Sequence, residues 1–173
     1  PFEEALRANK IPYVLSGGQS FFERAEIKDL IAYLRLIANQ DDDPAFIRAA
    51  TTPKRGIGPT SLERLGQYAA ERHVSLFEAL FETGVSAHLH GKPLEHLIEF
   101  GEFINRLYFR AQKDPAGEIL NDLLNAIRYE EWLYDSEDDR AARSKWENVR
   151  EFVDWLAKKG EEDGKTLIEL TQT

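Results

Sequence analysis

The sequence predicts an all-α fold, a multi-helix assembly preceded by a short helix–strand–helix piece. Three observations carry that expectation. Apolar residues recur at helical spacing over most of the chain, as in Ile27, Leu30, Ile31, Leu34 and Ile37. Asp, Ser and Pro residues stand where helix starts need caps and first-turn prolines. Only "IPYVL" (11–15) reads as a β-type run, and one strand has no partner with which to form a sheet.

The elements follow in order. Residues 1–9 read as the end of a helix with Phe2, Ala5 and Leu6 on one face; "IPYVL" is the strand, and "SGG" breaks it. The periodicity then predicts a helix from Arg24 to Asn39. After "NQDDD" only helices are expected. Asp43 is the expected cap of "AFIRAA", with Pro44 in its first turn and Pro53 ending it. A second helix is expected to begin near Thr60 or Ser61 and to carry Leu62, Leu65, Tyr68 and Ala69. "SLFEALFE" (75–82) starts at a Ser75 cap, with Glu78 at the capping-box position. Long amphipathic helices are expected at 93–112 and 115–127. "EEWLYDSEDD" reads as a helical turn running into an acidic loop. Residues 142–159 read as the last long helix, with Trp146, Val149, Val153 and Leu156 on one face, and "GEEDGK" as a loop.

Length and composition set the bounds. The 173 residues suffice for one domain, or one domain with part of another. Hydrophobic residues make up 42%, too many for a disordered chain. No run approaches the roughly 20 apolar residues of a membrane span, so no membrane partner is expected. Cysteine is absent, which points to a reducing, cytoplasmic setting. The chain starts at Pro1, holds no methionine and ends in "TLIELTQT"; it is expected to come from a longer protein.

The net charge of −9 is unevenly spread. Residues 111–173 hold 9 Lys and Arg against 16 Asp and Glu, whereas residues 48–64 hold Arg48, Lys54, Arg55 and Arg64 against Glu63 alone. Screening confines a charge's field to about 10 Å, so an acidic protein can still dock nucleic acid through one local basic patch.

Several constellations carry less than they suggest. "GEEDGKT" (160–166) ends like a phosphate-binding loop, but Lys159 stands where the first glycine belongs and three acids intervene. His88 and His90 lie two apart, a spacing that points ligands away from each other on a helix, and "SEDD" (136–139) lacks the glycine of a cation loop. No metal site is expected. Trp132, Trp146 and Trp155 could stack on bases, but their register favours core packing. No nucleophile–base pair has supporting context, so no catalytic residue is assigned.

"TTPKRGIGPTSLERL" (51–65) is different, because its parts support one mechanism. Gly56 and Gly58 permit backbone angles and a close approach that a Cβ would block. Ile57 between them can plug into the core. Pro59 and Thr60 open a helix whose free N–H groups attract phosphate, and Lys54 and Arg55 add charge beside it. Such a helix-hairpin-helix unit would grip the sugar-phosphate backbone without reading sequence. A tight helix–helix turn with incidental basic residues fits the spacing equally well.

A resemblance separates the two. "GGQSFFERAEIKD" (17–29) and "TPKRGIG" (52–58) closely resemble motifs of the superfamily 1 DNA helicases of the UvrD/Rep/PcrA type. Weaker similarity continues through "YEEWLY" (129–134) and "ENVREFVDWL" (147–156), and suits the Rep branch. The resemblance implies that residues 1–40 are a segment of the second RecA-like domain, 2A, and residues 41–173 the helical 2B subdomain inserted in it. It implies an ATP-dependent 3′-to-5′ DNA helicase as parent, with ATP and Mg2+ held by motor domains of the same parent chain. This fragment, lacking those motifs, is expected to be inactive alone. The duplex contact implied at the fork maps onto Thr52, Lys54, Arg55, Gly56, Ile57 and Gly58, with Ser61 and Arg64 beside it. Gln19, Phe22 and Arg24 become candidate single-strand or hinge contacts. The alternative for that motif is plain packing, with Phe21 buried and Arg24, Glu26 and Lys28 solvated. Two other readings stand beside the duplex-binding one: a docking subdomain for replication or repair proteins, and part of a related recombination helicase-nuclease.

Overall fold

Helix α1 (Ala25–Ala38) is enclosed on almost every side: Ile27, Leu30, Ile31, Tyr33, Leu34, Leu36 and Ile37 are all at most 3% exposed. A helix that is apolar nearly all round belongs inside. The computed structural model describes residues 21–171. The helix expected at 1–9, the strand at 11–15 and Gln19 lie outside the described residues. Within them every regular element is helical. A 3₁₀ turn at Phe21–Glu23 leads into α1, followed by α2 (Asp43–Thr51), α3 (Pro59–Arg72) and α4 (Leu76–Leu80). A second 3₁₀ turn (Thr83–Ala87) precedes α5 (Lys92–Ala111), α6 (Ala116–Ala126), α7 (Tyr129–Ser136), α8 (Asp139–Asp163) and α9 (Leu167–Thr171). None of these helices is long and apolar enough to cross a membrane.

The described residues form two compact units, one of residues 21–31 with 109–171 and one of residues 32–108. In the first, α8 packs against α6, α7 and α9. Phe21, Phe22 and Phe152 make its aromatic centre, with Phe152 6.1 Å from the Phe21 ring and 6.4 Å from that of Phe22. Glu26, expected in solvent, is 2% exposed and accepts a hydrogen bond from Asn148 Nδ2 at 2.9 Å. The burial of α1 on its polar side explains the change: a carboxylate carried inside persists only with a donor. Tyr129 Oη donates to Asp29 at 2.9 Å in the same way. The three tryptophans are half-buried rather than enclosed, and Arg150 lies over the Trp146 ring at 5.9 Å.

Two boundaries differ from expectation in this unit. α8 begins at Asp139, with Asp138 accepting from the Ala141 N–H at 2.9 Å, so the acidic loop shrinks to Glu137 and Asp138. At its other end α8 runs through "GEED" to Asp163 and stops at Gly164 in the left-handed region. The Lys159–Asp163 pair at 3.2 Å supports that last turn. α9 then opens with a reciprocal cap: the Thr166 N–H donates to Glu169 at 2.9 Å and the Glu169 N–H to Thr166 Oγ1 at 3.3 Å.

In the second unit, α3 packs on α4 and α2 on α4, around Phe46, Leu65, Leu80, Leu97 and Ile104. The cap of α2 is Asp42, whose Oδ1 accepts from the Ala45 N–H at 3.1 Å, one residue before the expected Asp43. Asp43 is engaged elsewhere, accepting from the Leu76 N–H at 3.0 Å. Ser75 caps α4 as expected, accepting from the Glu78 N–H at 3.1 Å, and donates to Asp41 at 2.7 Å. The acidic run 41–43 thus serves two helix N-termini, where negative charge is favoured. Ser75→Ala should cost about 1 kcal/mol, read as a lowered melting temperature.

Candidate nucleic-acid interface

The turn between α2 and α3 is built from residues that the core holds from behind. α2 ends at Thr51, the Thr52–Pro53 peptide is cis, and Pro53 is buried. The Thr52 carbonyl lies 2.6 Å from Tyr33 Oη and 3.3 Å from Arg55 Nη2. Arg55 is half-buried. Its Nε donates to the Pro53 carbonyl at 3.3 Å, its Nη2 donates to Tyr33 Oη, and its guanidinium carbon sits 4.7 Å from the centre of the Phe100 ring. The guanidinium is planar and weakly hydrated, so it can lie on an aromatic face while its edge bonds the backbone. Arg55 ties the turn to α1 and α5 instead of standing free in solvent, which revises its expected part as a simple point charge.

Gly56 has φ +81°, a conformation L side chains avoid, and an added Cβ would lie 2.6 Å from His96 Nδ1. Ile57 is 8% exposed, the plug anticipated from the sequence. Gly58 differs from expectation: its backbone is extended and a Cβ there would meet nothing within 4 Å. The chain's own geometry does not require glycine at 58. Gly58 is the N-cap of α3 and carries no side chain to satisfy the first turn, so the partly positive end of a 14-residue helix lies uncapped beside the turn. α3 begins at Pro59, slightly earlier than anticipated.

Lys54 and Arg64 are exposed, and neither forms an ion pair among the described residues. Ser61 is only 9% exposed. The arrangement is a backbone turn tied to α1 and α5, an uncapped helix start and, among the described residues, two exposed cations without an ion pair. Among the described residues no three His, Asp or Glu side chains gather as metal ligands.

Residues 1–172 match the family model described as the UvrD-like helicase C-terminal domain. The chain belongs to that family. It is 44% identical over 156 residues to the ATP-dependent DNA helicase Rep of Salmonella typhimurium and to that of Escherichia coli, covering 90% of this chain and 23% of each relative. It is 40% identical over 151 residues to the ATP-dependent DNA helicase PcrA of Staphylococcus epidermidis, covering 87% of this chain and 20% of the relative. The chain therefore spans less than a quarter of the length of these relatives.

The other candidates in this UvrD-like chain are placed differently. Phe22 is 1% exposed within the aromatic centre, so its ring presents no face to a base. Arg24 is half-buried just before α1. Sequence reasoning missed Tyr33 and Phe100, which meet the Arg55 side chain, and His96, whose Nδ1 lies 3.3 Å from the Gly56 carbonyl oxygen. Tyr33 and Phe100 lie within the helical segments expected at 24–39 and 93–112, and no local pattern singles out any of the three.

Proposed function

We propose that this chain is the duplex-engaging part of an ATP-dependent 3′-to-5′ DNA helicase. Residues 1–40 are the 2A segment and residues 41–173 the 2B subdomain on this reading. The motor domains of the parent chain hold ATP and Mg2+, and the fragment alone does not hydrolyse ATP. The observation that carries the reading is the Lys54–Arg64 surface, where free cations flank an uncapped helix start in a chain whose overall charge is −9. A net-negative chain gains nothing in solubility from such a patch, whereas phosphate gains three kinds of partner there: helix dipole, backbone N–H and ammonium or guanidinium. The contacts are Lys54 and Arg64 by charge and Gly56–Gly58 by backbone approach. Thr52, Arg55, Ile57 and Ser61 act from within or at the rim. Gln19 and Arg24 serve the single strand or the hinge. Membership of the family, and relatives named ATP-dependent DNA helicases, support the assignment.

Charge neutralisation without base contacts makes a direct prediction. In the full-length protein, Lys54→Ala with Arg64→Ala should weaken forked-duplex binding alike for all sequences. The log–log salt slope should fall by about 2, one for each lost phosphate contact. Salt-insensitive binding unchanged by the pair would instead favour a partner-docking role. The 2B part is further proposed to gate unwinding by reorienting against the motor. A distance between labels on residues 111–173 and on the motor should then shift when forked DNA binds; one unchanged distance with DNA bound would leave 2B a static clamp.

A further inference from the structure

Residues 96 and 100 lie one turn apart on α5, spaced to share a face, and both meet the same backbone turn. Phe100 carries the Arg55 guanidinium at 4.7 Å, and His96 Nδ1 lies 3.3 Å from the Gly56 carbonyl oxygen. A carbonyl oxygen only accepts, so Nδ1 must carry a proton to bond it. The imidazole also occupies the space above Gly56. A Cβ built there would lie 2.6 Å from Nδ1 and 2.7 Å from Cε1. Glycine at 56 therefore answers two demands, the positive φ and the ring stacked over it. A left-handed glycine has little steric preference of its own and can swing between conformations. Something outside it must select one.

We propose that His96 is the positioning residue of the duplex-binding turn: its Nδ1–H holds the Gly56 carbonyl and its ring closes the space over Gly56. The backbone of Ile57 and Gly58 then enters α3 along one path before phosphate arrives. The inference rests on the proposed duplex contact and adds to it the group that preorganises that contact. Preorganisation raises affinity by removing an ordering cost at the moment of binding. It contributes shape and no charge.

The test uses substitutions that separate the hydrogen bond from the bulk of the ring. In the full-length protein, His96→Leu should weaken forked-duplex binding about three- to tenfold, the worth of one net hydrogen bond, with an unchanged salt slope. His96→Asn, whose Nδ2 stands close to the place of Nδ1, should recover most of the loss. Imidazole nitrogen NMR of the 173-residue chain at pH 8 should show the His96 proton on Nδ1. Wild-type affinity in His96→Leu, or a proton resting on Nε2, overturns the proposal. Failure of the duplex reading itself looks different: Lys54→Ala with Arg64→Ala would then leave binding untouched while the Nδ1 proton stayed in place.

Discussion

Phe22→Ala is expected to cost about 3–5 kcal/mol of folding stability, the range for truncating a buried aromatic. Phe22 is 1% exposed, stands edge-on to Phe21 at 5.6 Å and lies 6.4 Å from Phe152. Removing it opens a void between Phe21, its neighbour in the 3₁₀ turn, and Phe152 on α8, so the site can collapse only in part. A loss of that size is a large share of a stability of typically 5–15 kcal/mol, and a cooperative melt should show it directly. Phe22→Leu, which keeps most of the volume, should cost much less. The pair also decides between packing and stacking. A base-stacking ring loses about 1–3 kcal/mol of single-strand affinity on truncation. Folded Phe22→Leu should bind single strands as the wild type does. A leucine variant that melts normally yet loses single-strand affinity would return Phe22 to the DNA track.

The contrast between Phe22 and the Gly56 turn shows which parts of the molecule were legible in the chain. Helix existence was, because it depends on local periodicity: α1, α5 and α6 stand close to where their apolar spacing put them. The Ser75 cap and the Ile57 plug were legible for the same reason. Helix ends failed where a competing partner lay elsewhere. Asp43 caps nothing in its own helix because the Leu76 N–H claims it from 33 residues away. Glu26 reads as a surface acid until Asn148, 122 residues on, supplies its donor. Arg55 reads as a free cation because nothing local announces the Tyr33 hydroxyl, 22 residues back, or the Phe100 face. Local chemistry identified the turn as a candidate site, whereas the groups that stiffen it are tertiary and leave no local pattern.

That division predicts opposite behaviour for two adjacent basic residues. Lys54 is exposed and Arg55 is half-buried against Phe100. Lys54→Ala should leave the melting transition within about 0.5 kcal/mol of wild type, as surface substitutions do. It should lower the salt slope of duplex binding by about 1. Arg55→Ala should do the reverse. It removes donors to Tyr33 Oη and to the Pro53 and Thr52 carbonyls, along with the stack on Phe100. Together these are worth about 2–3 kcal/mol in a half-exposed setting, from a charged hydrogen bond and a cation–π contact. Stability should fall by that amount. Affinity should fall with it, because the turn loses its tie to α1 and α5, but the salt slope should change little. Arg55→Lys should not rescue either property: an ammonium keeps the charge but cannot lie flat on the ring while bonding the backbone at its edge. Two outcomes would reverse the assignment and make Arg55 a phosphate ligand: a normal melt with a slope lowered by about 1, or full rescue of binding by lysine.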